Sequence, residues 1–371
     1  MEEQTRRRKE RERAKLQKKN RMKRGILIAL CAVLAVILIL LVVGTIYFEN
    51  LLGLINKADE IPQETMSQEE YDALMDSMKE TMDEDYTGNV HEGDVDWGSE
   101  EGLIESGDDV LNVLLIGQDR RSVDQGRSRS DVIILCTVNK PAKTLTITSF
   151  MRDMYVQIPG YQDNRINVPY VLGGMDLLDR TLSTNFGVEV DGNIEVDFYG
   201  FIDIVDMMGG VEMELTQAEA TYMNQNFSWD IDDGESDYWN LKEGVNQLTG
   251  SQALSYARMR YVGNGDYERT ERQRKVLSAL VEKAKELSIT ELNLLLQHAL
   301  PMITTDMENQ EILNYALELF PLLPELTVST LRIPADGAYQ STYVREMAVL
   351  LPNLAKNRAL LEEIMKAPEA E

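Results

Sequence analysis

Several acidic and basic residues in this sequence lie directly beside apolar segments, where their side chains could bind a metal ion and phosphate groups. Asp119 and Asp131 each stand next to an apolar run. Two carboxylates at rigid strand ends suit a hard, six-coordinate cation such as Mg²⁺, with Mn²⁺ as an alternative. Arginines beside them suit phosphate, because a guanidinium can bind two oxygens of one group. The neighbouring arginines are Arg121, Arg129 and Arg152.

Three consecutive strands must position these charged groups. Apolar runs at 111–116, 132–138 and 144–150 predict buried strands, and residues 139–142 predict a short hairpin connection. If these strands are antiparallel neighbours, the end of the first, the start of the second and the end of the third share one sheet edge. The charged residues would then converge, although up to 33 positions separate them. Ordinary surface salt bridges are the alternative interpretation.

A second group of charged residues lies on and before a predicted helix at 267–287. Arg269 and Gln273 fall on one helical stripe with Val276 and Leu280. The apolar end of this stripe must face the core, so Arg269 should face inward too. A buried arginine needs an anion, which a structural ion pair or a ligand phosphate would supply. Together with Arg258 and Arg260, this excess of positive charge predicts a phosphate or diphosphate site.

Composition excludes several other kinds of chemistry. The 371 residues include 37 Lys and Arg against 63 Asp and Glu, with a net charge of −26, and only two His and two Cys. A histidine-rich metal site, a cysteine zinc site and a disulfide framework therefore have too few residues. Residues 1–24 have a net charge of +8 (12 basic, 4 acidic), which leaves −34 for the remainder. Such an anionic body repels nucleic-acid phosphates, so we expect no nucleic-acid partner.

An apolar run at 25–48 predicts a membrane-spanning helix. It contains 24 uncharged residues, which reach roughly 36 Å and can cross a hydrocarbon core of about 30 Å. A buried core helix and a cleaved signal peptide are the alternatives. The basic residues before the run predict a single-pass protein with a cytoplasmic tail at 1–24 and everything after the span outside the cell. We expect an acidic linker with a short helix at 49–109 and an extracytoplasmic domain at 110–371.

The pattern along the domain predicts an α/β (α+β) fold, with a mixed central sheet flanked by helices. Besides the three strands above, further strands are predicted at 194–198, 211–215 and 327–333. Helices are predicted at 67–82, 174–186, 199–208, 216–225, 250–258, 267–287, 289–300, 309–319 and 343–366.

Seven motifs within residues 111–277 of this domain carry a resemblance to a known family. They are NVLLIGQDRR (112–121), GRSRSD (126–131), TSFMRDMYVQIPG (148–160), RINVPY with GG (165–174), VDFYGFIDIVDMMGGVEM (196–213), LTGSQALSYARMR (248–260) and GDYERTERQRKVL (265–277). In sequence and order they resemble the catalytic domain of the LytR–CpsA–Psr family of cell-envelope proteins. The basic tail, single span and outward domain match that family's layout.

The resemblance implies a membrane-anchored transferase in a Gram-positive-type envelope. Such an enzyme takes a glycopolymer from a membrane-lipid carrier, a polyprenyl diphosphate, and joins it through a phosphodiester to peptidoglycan. The glycopolymer would be teichoic acid or a capsular or secondary wall polysaccharide. Asp119 and Asp131 would hold Mg²⁺, and either Asp153 or Asp266 would accept the proton. The implied diphosphate-binding residues are Arg121, Arg129, Arg152, Arg258, Arg260 and Arg269, with Gln273 assisting. The arginines implied in catalysis are Arg152, Arg258 and Arg260.

An isoprenoid tail also needs an apolar groove. Leu177, Leu178, Phe201 and Ile204, on two predicted helices, are candidates for its lining, and simple core packing is the alternative for each. Two other functions fit the same residues. One is a polyprenyl diphosphate–glycan hydrolase that uses water as acceptor. The other is a non-catalytic membrane-anchored protein that binds the glycolipid or acts as a regulator of the transcription-attenuator type.

Overall fold

The structure is a computed structural model that describes residues 44, 46–58, 68–77, 90–98, 102–107, 109–118, 130–226 and 239–366. The chain divides into two compact units, Met1–Gly53 and Leu54–Glu371. Among the described residues, no helix is both long enough and apolar enough to cross a membrane. The span predicted at 25–48 lies almost entirely outside the described residues. The second unit contains the sheet and the helices of the fold.

A mixed central sheet organises this unit. Its order among the described strands is β1-β10-β7-β2-β3-β4-β11. The strands are β1 (Asn56–Lys57), β2 (Val110–Gln118), β3 (Ser130–Asn139), β4 (Thr144–Phe150), β7 (Gly192–Asp197), β10 (Ile303–Thr305) and β11 (Thr327–Ile333). The predicted antiparallel run β2-β3-β4 is confirmed. Strands β7 and β11 pair in parallel with β2 and β4. The expected mixed α/β fold is therefore confirmed.

Smaller strand pairs and the helices complete the unit. The pairs are β5 (Tyr155–Val156) with β6 (Asn164–Arg165), β8 (Val211–Leu215) with β9 (Gly244–Leu248), and β12 (Tyr339–Val344) with β13 (Met347–Pro352). The helices are α1 (Gln68–Ser77), α2 (Pro169–Phe186), α3 (Phe198–Met207), α4 (Gln217–Gln225), α5 (Gly250–Arg258), α6 (Asp266–Glu286), α7 (Ile289–Ala299), α8 (Asn309–Leu319) and α9 (Leu354–Met365).

Successive residues of a strand point to opposite faces of a sheet, and both faces of the central sheet are covered by a hydrophobic core. Leu114 of β2 and Leu135 of β3 pack into the main core with Leu361 of α9. Ile134 and Ile147 pack on the opposite face, where α6 and α8 contribute apolar side chains. A further core cluster joins α3, α4, α5 and α6 to the antiparallel pair β8–β9. Helix α6 thus contacts two cores, which fixes the direction of the charged side chains along it.

The helix predicted at 343–366 is wrong over residues 343–353. Strands β12 and β13 form a hairpin there, and only Leu354–Met365 is helical. The two turn residues, Arg345 and Glu346, have φ values of 49° and 62°, which is typical of a two-residue type I′ hairpin turn. Such turns usually contain Asn or Gly, so an Arg-Glu pair gives no turn signal in the sequence.

The segment predicted as a linker at 49–109 contributes contacts to the compact unit that begins at Leu54, and the domain start near residue 110 stays a prediction. Strand β1 lies within the supposed linker and pairs with β10. Trp97 stacks on Tyr155 with ring centroids 5.8 Å apart, and Ile104 is buried in the main core. The acidic composition of this segment gave no sign that a few of its apolar residues pack against the domain. The short helix predicted in this segment is present as α1, and residues 78–82 of that prediction lie outside the described chain.

Candidate active site

Strand ends bring the first charged group together, as the sequence predicts. Gln118, the last residue of β2, pairs with Ser130, the first residue of β3. Strand β4 ends at the same edge and is followed by Arg152. Arg152 Nη1 donates a hydrogen bond to Asp131 Oδ1 at 3.2 Å. The predicted convergence is therefore confirmed for this pair.

Three predicted residues of this edge, Asp119, Arg121 and Arg129, lie outside the described residues. Their roles in metal and diphosphate binding stay predictions.

Arg152 lies among three aspartates. Besides its bond to Asp131, its Nη2 donates to Asp266 Oδ2 at 3.3 Å. Its Nε lies 3.4 Å from Asp153 Oδ2. Each of the three guanidinium nitrogens thus lies near a carboxylate oxygen, although Nε makes no hydrogen bond within the described residues. The two long-range partners come from β3 and from the first residue of α6. One arginine at a strand end therefore ties the sheet edge to the start of the helix.

Asp266 gathers the arginines of the second group. Its Oδ1 lies 3.2 Å from Arg269 Nη2 and 3.4 Å from Arg260 Nε. Gly265 precedes it with φ 61° and ψ −124°, a conformation that essentially only glycine adopts, and so fixes where α6 begins. A carboxylate in the first turn also interacts favourably with the helix dipole. The two groups of charges predicted separately from the sequence therefore form one cluster.

Arg165, in the RINVPY motif, is a member of the cluster that the sequence analysis did not identify. Its Nε lies 3.6 Å from Asp153 Oδ1, and its Nη2 donates to the carbonyl of Ala348 at 2.6 Å. The described cluster therefore contains four arginines and three aspartates, a net charge of +1 before Arg258 is added. In a chain with a net charge of −26, this is a local reversal of sign that favours an anionic ligand.

The two candidate bases have different electrostatic environments. Burial raises the pKa of Asp153 above its ordinary value, although Arg152 and Arg165 oppose the shift. Burial would also raise the pKa of Asp266, but Arg269, Arg152 and Arg260 together outweigh it and hold that pKa below its ordinary value. A pair of carboxyls with pKa values pushed apart is typical of an acid–base site. Asp153 is the one better suited to accept a proton.

Arg269 has an unused hydrogen-bond donor. The residue is only 3% exposed, and its Nε has no hydrogen-bond partner among the described residues. Burial lowers the pKa of its guanidinium to about 10, helped by Arg152 and Arg260 and opposed by Asp266. It therefore remains a cation at neutral pH. A buried donor without a partner costs free energy, which a bound phosphate oxygen would offset.

Arg258 and Gln273 border this cluster. The guanidinium carbon of Arg258 lies 4.4 Å from the ring centroid of Phe198, a cation–π contact. Gln273 Nε2 donates to the carbonyl of Ala257 at 3.3 Å, which ties α6 to the end of α5. The predicted inward stripe is confirmed for Arg269 and for the apolar residues that follow it on α6, whereas Gln273 is half-buried.

The four residues predicted to line a lipid groove occupy two different cores. Leu177 and Leu178 have no exposed surface and belong to the main core. Phe201 and Ile204 are partly buried and pack against the core cluster that contains the antiparallel pair β8–β9. Core packing accounts for all four contacts, and the role in binding an isoprenoid tail stays a prediction.

The described residues supply one of the two carboxylates predicted to hold a metal ion. Asp131 accepts from Arg152 through Oδ1 only. Among the residues that the structure describes, no group of three or more His, Cys, Asp or Glu side chains could hold a metal ion. Mg²⁺ in phosphate-transfer sites is usually bound by one or two carboxylates together with water and substrate phosphate. The chemistry of Asp131 therefore fits such an ion.

Comparisons with known proteins identify relatives of this chain. Over 214 residues the chain is 33% identical to the polyisoprenyl-teichoic acid–peptidoglycan teichoic acid transferase TagU of Enterococcus faecalis, covering 56% of this chain and 65% of that protein. It is 30% identical over 236 residues to the regulatory protein MsrR of Staphylococcus aureus, covering 63% and 67%. The chain thus spans a little under two thirds of the length of this TagU.

Solved structures share the fold. A structure of TagT, a protein of B. subtilis, bound to LIIa-WTA superposes with a TM-score of 0.56 at 26% identity, covering 69% of this chain and 90% of that one. The sequence profile of the LytR_cpsA_psr family matches residues 63–360, which include every described member of the Arg152 cluster. The chain belongs to the LytR_cpsA_psr family.

Proposed function

We propose that this protein transfers a glycopolymer from a polyprenyl diphosphate carrier to peptidoglycan in a Mg²⁺-dependent reaction. The observation that carries the proposal is the cationic cluster around Arg152, in which a buried arginine, Arg269, keeps a donor without a partner. The similarity to TagU, whose name describes transfer of teichoic acid to peptidoglycan, supports the same reaction class. The bound LIIa-WTA in TagT supports an anionic glycopolymer ligand.

The arginines of the cluster would hold the diphosphate. Arg152, Arg260 and Arg269 each contact Asp266, so this carboxylate keeps three guanidinium groups close together. The incoming diphosphate would contact their outward nitrogens and the unpartnered Nε of Arg269. Arg258, and Arg121 and Arg129 beyond the described residues, would add to this charge. Phosphoryl transfer relies mainly on such positioning and charge stabilisation.

The proposed step forms one bond and breaks one. A hydroxyl oxygen of peptidoglycan bonds to the phosphorus that carries the glycopolymer. The bond from that phosphorus to the bridging oxygen breaks, and polyprenyl phosphate leaves with the electron pair. The hydroxyl proton passes to Asp153, whose raised pKa suits it for this role. The product is a phosphodiester between glycopolymer and peptidoglycan, and no covalent intermediate with the protein is needed.

Asp131, together with Asp119, would hold Mg²⁺ at the sheet edge. Such an ion, when bound, neutralises charge that develops on the transferred phosphate. Asp131 is oriented for this by Arg152, which contacts only one of its two oxygens. Mn²⁺, which shares a preference for oxygen ligands, is the expected substitute.

The proposed setting is the outer face of a cell membrane. The uncharged run at 25–48 would anchor the chain, with the basic tail at 1–24 on the cytoplasmic side. The carrier lipid would then enter from the same membrane, and Leu177, Leu178, Phe201 and Ile204 are the candidates to accommodate its tail. An outward domain would also meet peptidoglycan directly.

A reconstitution experiment distinguishes the three functions considered above. Full-length protein in detergent is given a synthetic polyprenyl diphosphate glycan and peptidoglycan fragments, with Mg²⁺ or with EDTA, and products are followed by mass spectrometry. We expect glycan joined through phosphate to the fragments, only with Mg²⁺. Free glycan phosphate in place of the conjugate would favour a hydrolase. Tight binding without turnover, with an active family member as a positive control, would favour a binding or regulatory protein.

A further inference from the structure

A pocket lies beside α6 and contains none of the residues of the Arg152 cluster. It has a volume of about 420 Å³ and lies between β8, α6 and the edge strand β11. Arg274 and Ser278 of α6 line it, one helical turn apart, with Thr330 of β11. The other charged residues that line it are Glu212 and Glu214 of β8 and the ion pair Glu271–Lys275 of α6. None of these residues takes part in the contacts of the cluster described above.

Arg274 is buried without a partner for its charge. It is 8% exposed, and its Nε and Nη1 make no hydrogen bond within the described chain. Ser278 Oγ, four residues later, is also buried without a partner. Arg272 is the instructive contrast, because this equally buried arginine makes four hydrogen bonds within the fold. The unmet donors of Arg274 are those that a bound carboxylate or phosphate would satisfy.

The surroundings leave the Arg274 charge uncompensated. Burial, together with the nearby Arg332 and against the opposing effect of Glu271, lowers the pKa of its guanidinium to about 10. It is therefore still charged at neutral pH. Glu271 pairs with Lys275 at 2.7 Å, so these two residues balance each other. An isolated buried cation of this kind is costly unless an anion joins it.

The rim of the pocket has the opposite charge. Glu212 and Glu214 point outward from β8, which alternates buried and exposed residues. Neither forms an ion pair with a described residue. The pocket therefore combines a basic floor with an acidic rim. A ligand with complementary charge would place a carboxylate against Arg274 and an ammonium group against Glu212 and Glu214.

We propose that this pocket binds the peptide portion of the peptidoglycan acceptor. Such peptides carry free carboxylates and free amino groups, whereas a phosphodiester polymer would bring repeated negative charge against Glu212 and Glu214. Arg274 lies eight positions after Asp266 on the same helix, about 12 Å along its axis. A peptide held there would keep the attached sugar within reach of the cluster. This inference rests on the proposed function, because it names the acceptor of that reaction.

Calorimetric titration of the full-length protein in detergent tests the site. The probe is a synthetic muramyl peptide with a free terminal carboxylate and a free side-chain amine. Matched probes have the carboxylate amidated or the amine acetylated. We expect Arg274→Gln to raise Kd for the free peptide at least about tenfold and to change Kd for the amidated peptide little. The double variant Glu212→Gln, Glu214→Gln should bind the free peptide more weakly than the wild type does. Its Kd for the peptide with the acetylated amine should be unchanged.

Two controls separate folding from binding. Arg274→Gln removes a buried unpaired charge, so its Tm should equal or exceed that of the wild type. If it fails to fold, Ser278→Ala, which removes only a hydroxyl, should still raise Kd about threefold. Equal affinity for free and amidated peptides would overturn the proposal. So would an unchanged Kd in folded Arg274→Gln, or stronger competition by a glycerol phosphate oligomer than by the free peptide.

The same titration separates this inference from the proposed function. Wild-type protein that transfers glycan in the reconstitution experiment but binds no peptide at millimolar concentration would refute the pocket alone. Protein that binds the peptide through Arg274 but catalyses no transfer would refute the proposed reaction and leave the pocket intact.

Discussion

Asp153 and Asp266 both contact the guanidinium of Arg152, while their pKa values move in opposite directions from the ordinary aspartate value. Arg152 favours the ionised form of both carboxyls, so it is not the cause of this difference. Burial prevails at Asp153, whereas Asp266 faces two further arginines that hold its pKa down. In the proposed reaction these two residues with the same side chain would have different tasks, Asp153 as base and Asp266 as a fixed counter-ion.

The first prediction concerns the pH dependence of transfer. Asp153 must be ionised to accept a proton, and its pKa is raised, so the transfer rate should fall as pH drops through that raised pKa. Asp153→Asn should lower the rate about 100-fold and abolish this acidic limb. Measured pH–rate profiles of both proteins test this. An unchanged limb in Asp153→Asn would assign the base elsewhere.

A second prediction concerns the unpartnered Nε of Arg269. Arg269→Gln removes both the charge and this donor, so Kd for a polyprenyl diphosphate should rise roughly 10- to 100-fold. Arg269→Lys keeps the charge but loses the guanidinium group that can donate two hydrogen bonds to one phosphate. Its Kd should lie between those of the wild type and Arg269→Gln. Fluorescence titration and a thermal melt of each variant give the test. Normal affinity in a protein that melts early would show that Arg269 serves only the fold.

A third prediction separates Arg272 from the site. This arginine donates to Glu219 Oε1 at 2.8 Å and to the carbonyls of Met259 and Val262 at 2.9 and 2.8 Å. Arg272→Met would leave the nearly buried Glu219 without its partner, at a cost of roughly 3–5 kcal/mol in the free energy of unfolding. Urea unfolding measures this loss.

The matched control for Arg272 is Arg180→Gln. Arg180 forms an exposed pair with Asp176 on α2, and its loss should cost less than about 1 kcal/mol. Equal losses in the two variants would contradict a structural role for Arg272.

A fourth prediction concerns the pH dependence of stability. Burial, with smaller effects of Asp306 and Asp176, raises the pKa of Asp179 to about 7 from an ordinary 3.8, against a hydrogen bond from Asn193. Between these values the folded state holds a proton that the unfolded state has lost, so stability falls as pH rises. Asp179→Asn should raise the free energy of unfolding at pH 8 by on the order of 2 kcal/mol and change it little near pH 4.

Denaturant unfolding of Asp179→Asn from pH 4 to pH 8.5 tests the sign. Asp203→Asn, at an exposed position of α3, is the control and should show no such trend. A stability gain that does not depend on pH would contradict the raised pKa.

The sheet edge could be predicted from the sequence because its geometry is local. Three apolar runs joined by a short hairpin leave few arrangements, and antiparallel pairing then places Asp131 and Arg152 together. Arg269 was predictable for a similar reason, since its helical stripe continues into apolar residues. Periodicity thus identified which charged residues must turn inward.

Long-range contacts were not predictable in this way. Arg165 joins the cluster only because β6 folds against the segment that contains Ala348, 183 positions away. Arg274 lies outside the apolar stripe of α6, and its burial depends on β8 and β11 covering it. The β12–β13 hairpin was missed because its turn lacks Asn and Gly. Each of these features depends on tertiary packing that single-sequence patterns do not contain.

The most direct test of the central claim is the rate at which full-length protein forms the glycan–phosphate–peptidoglycan conjugate, compared between the wild type and Arg152→Lys. Lysine keeps the charge but cannot contact Asp131, Asp153 and Asp266 together. We predict at least an approximately 100-fold slower rate in a variant with a native circular dichroism spectrum. An unchanged rate in folded Arg152→Lys would show that the Arg152 cluster is not the site of transfer.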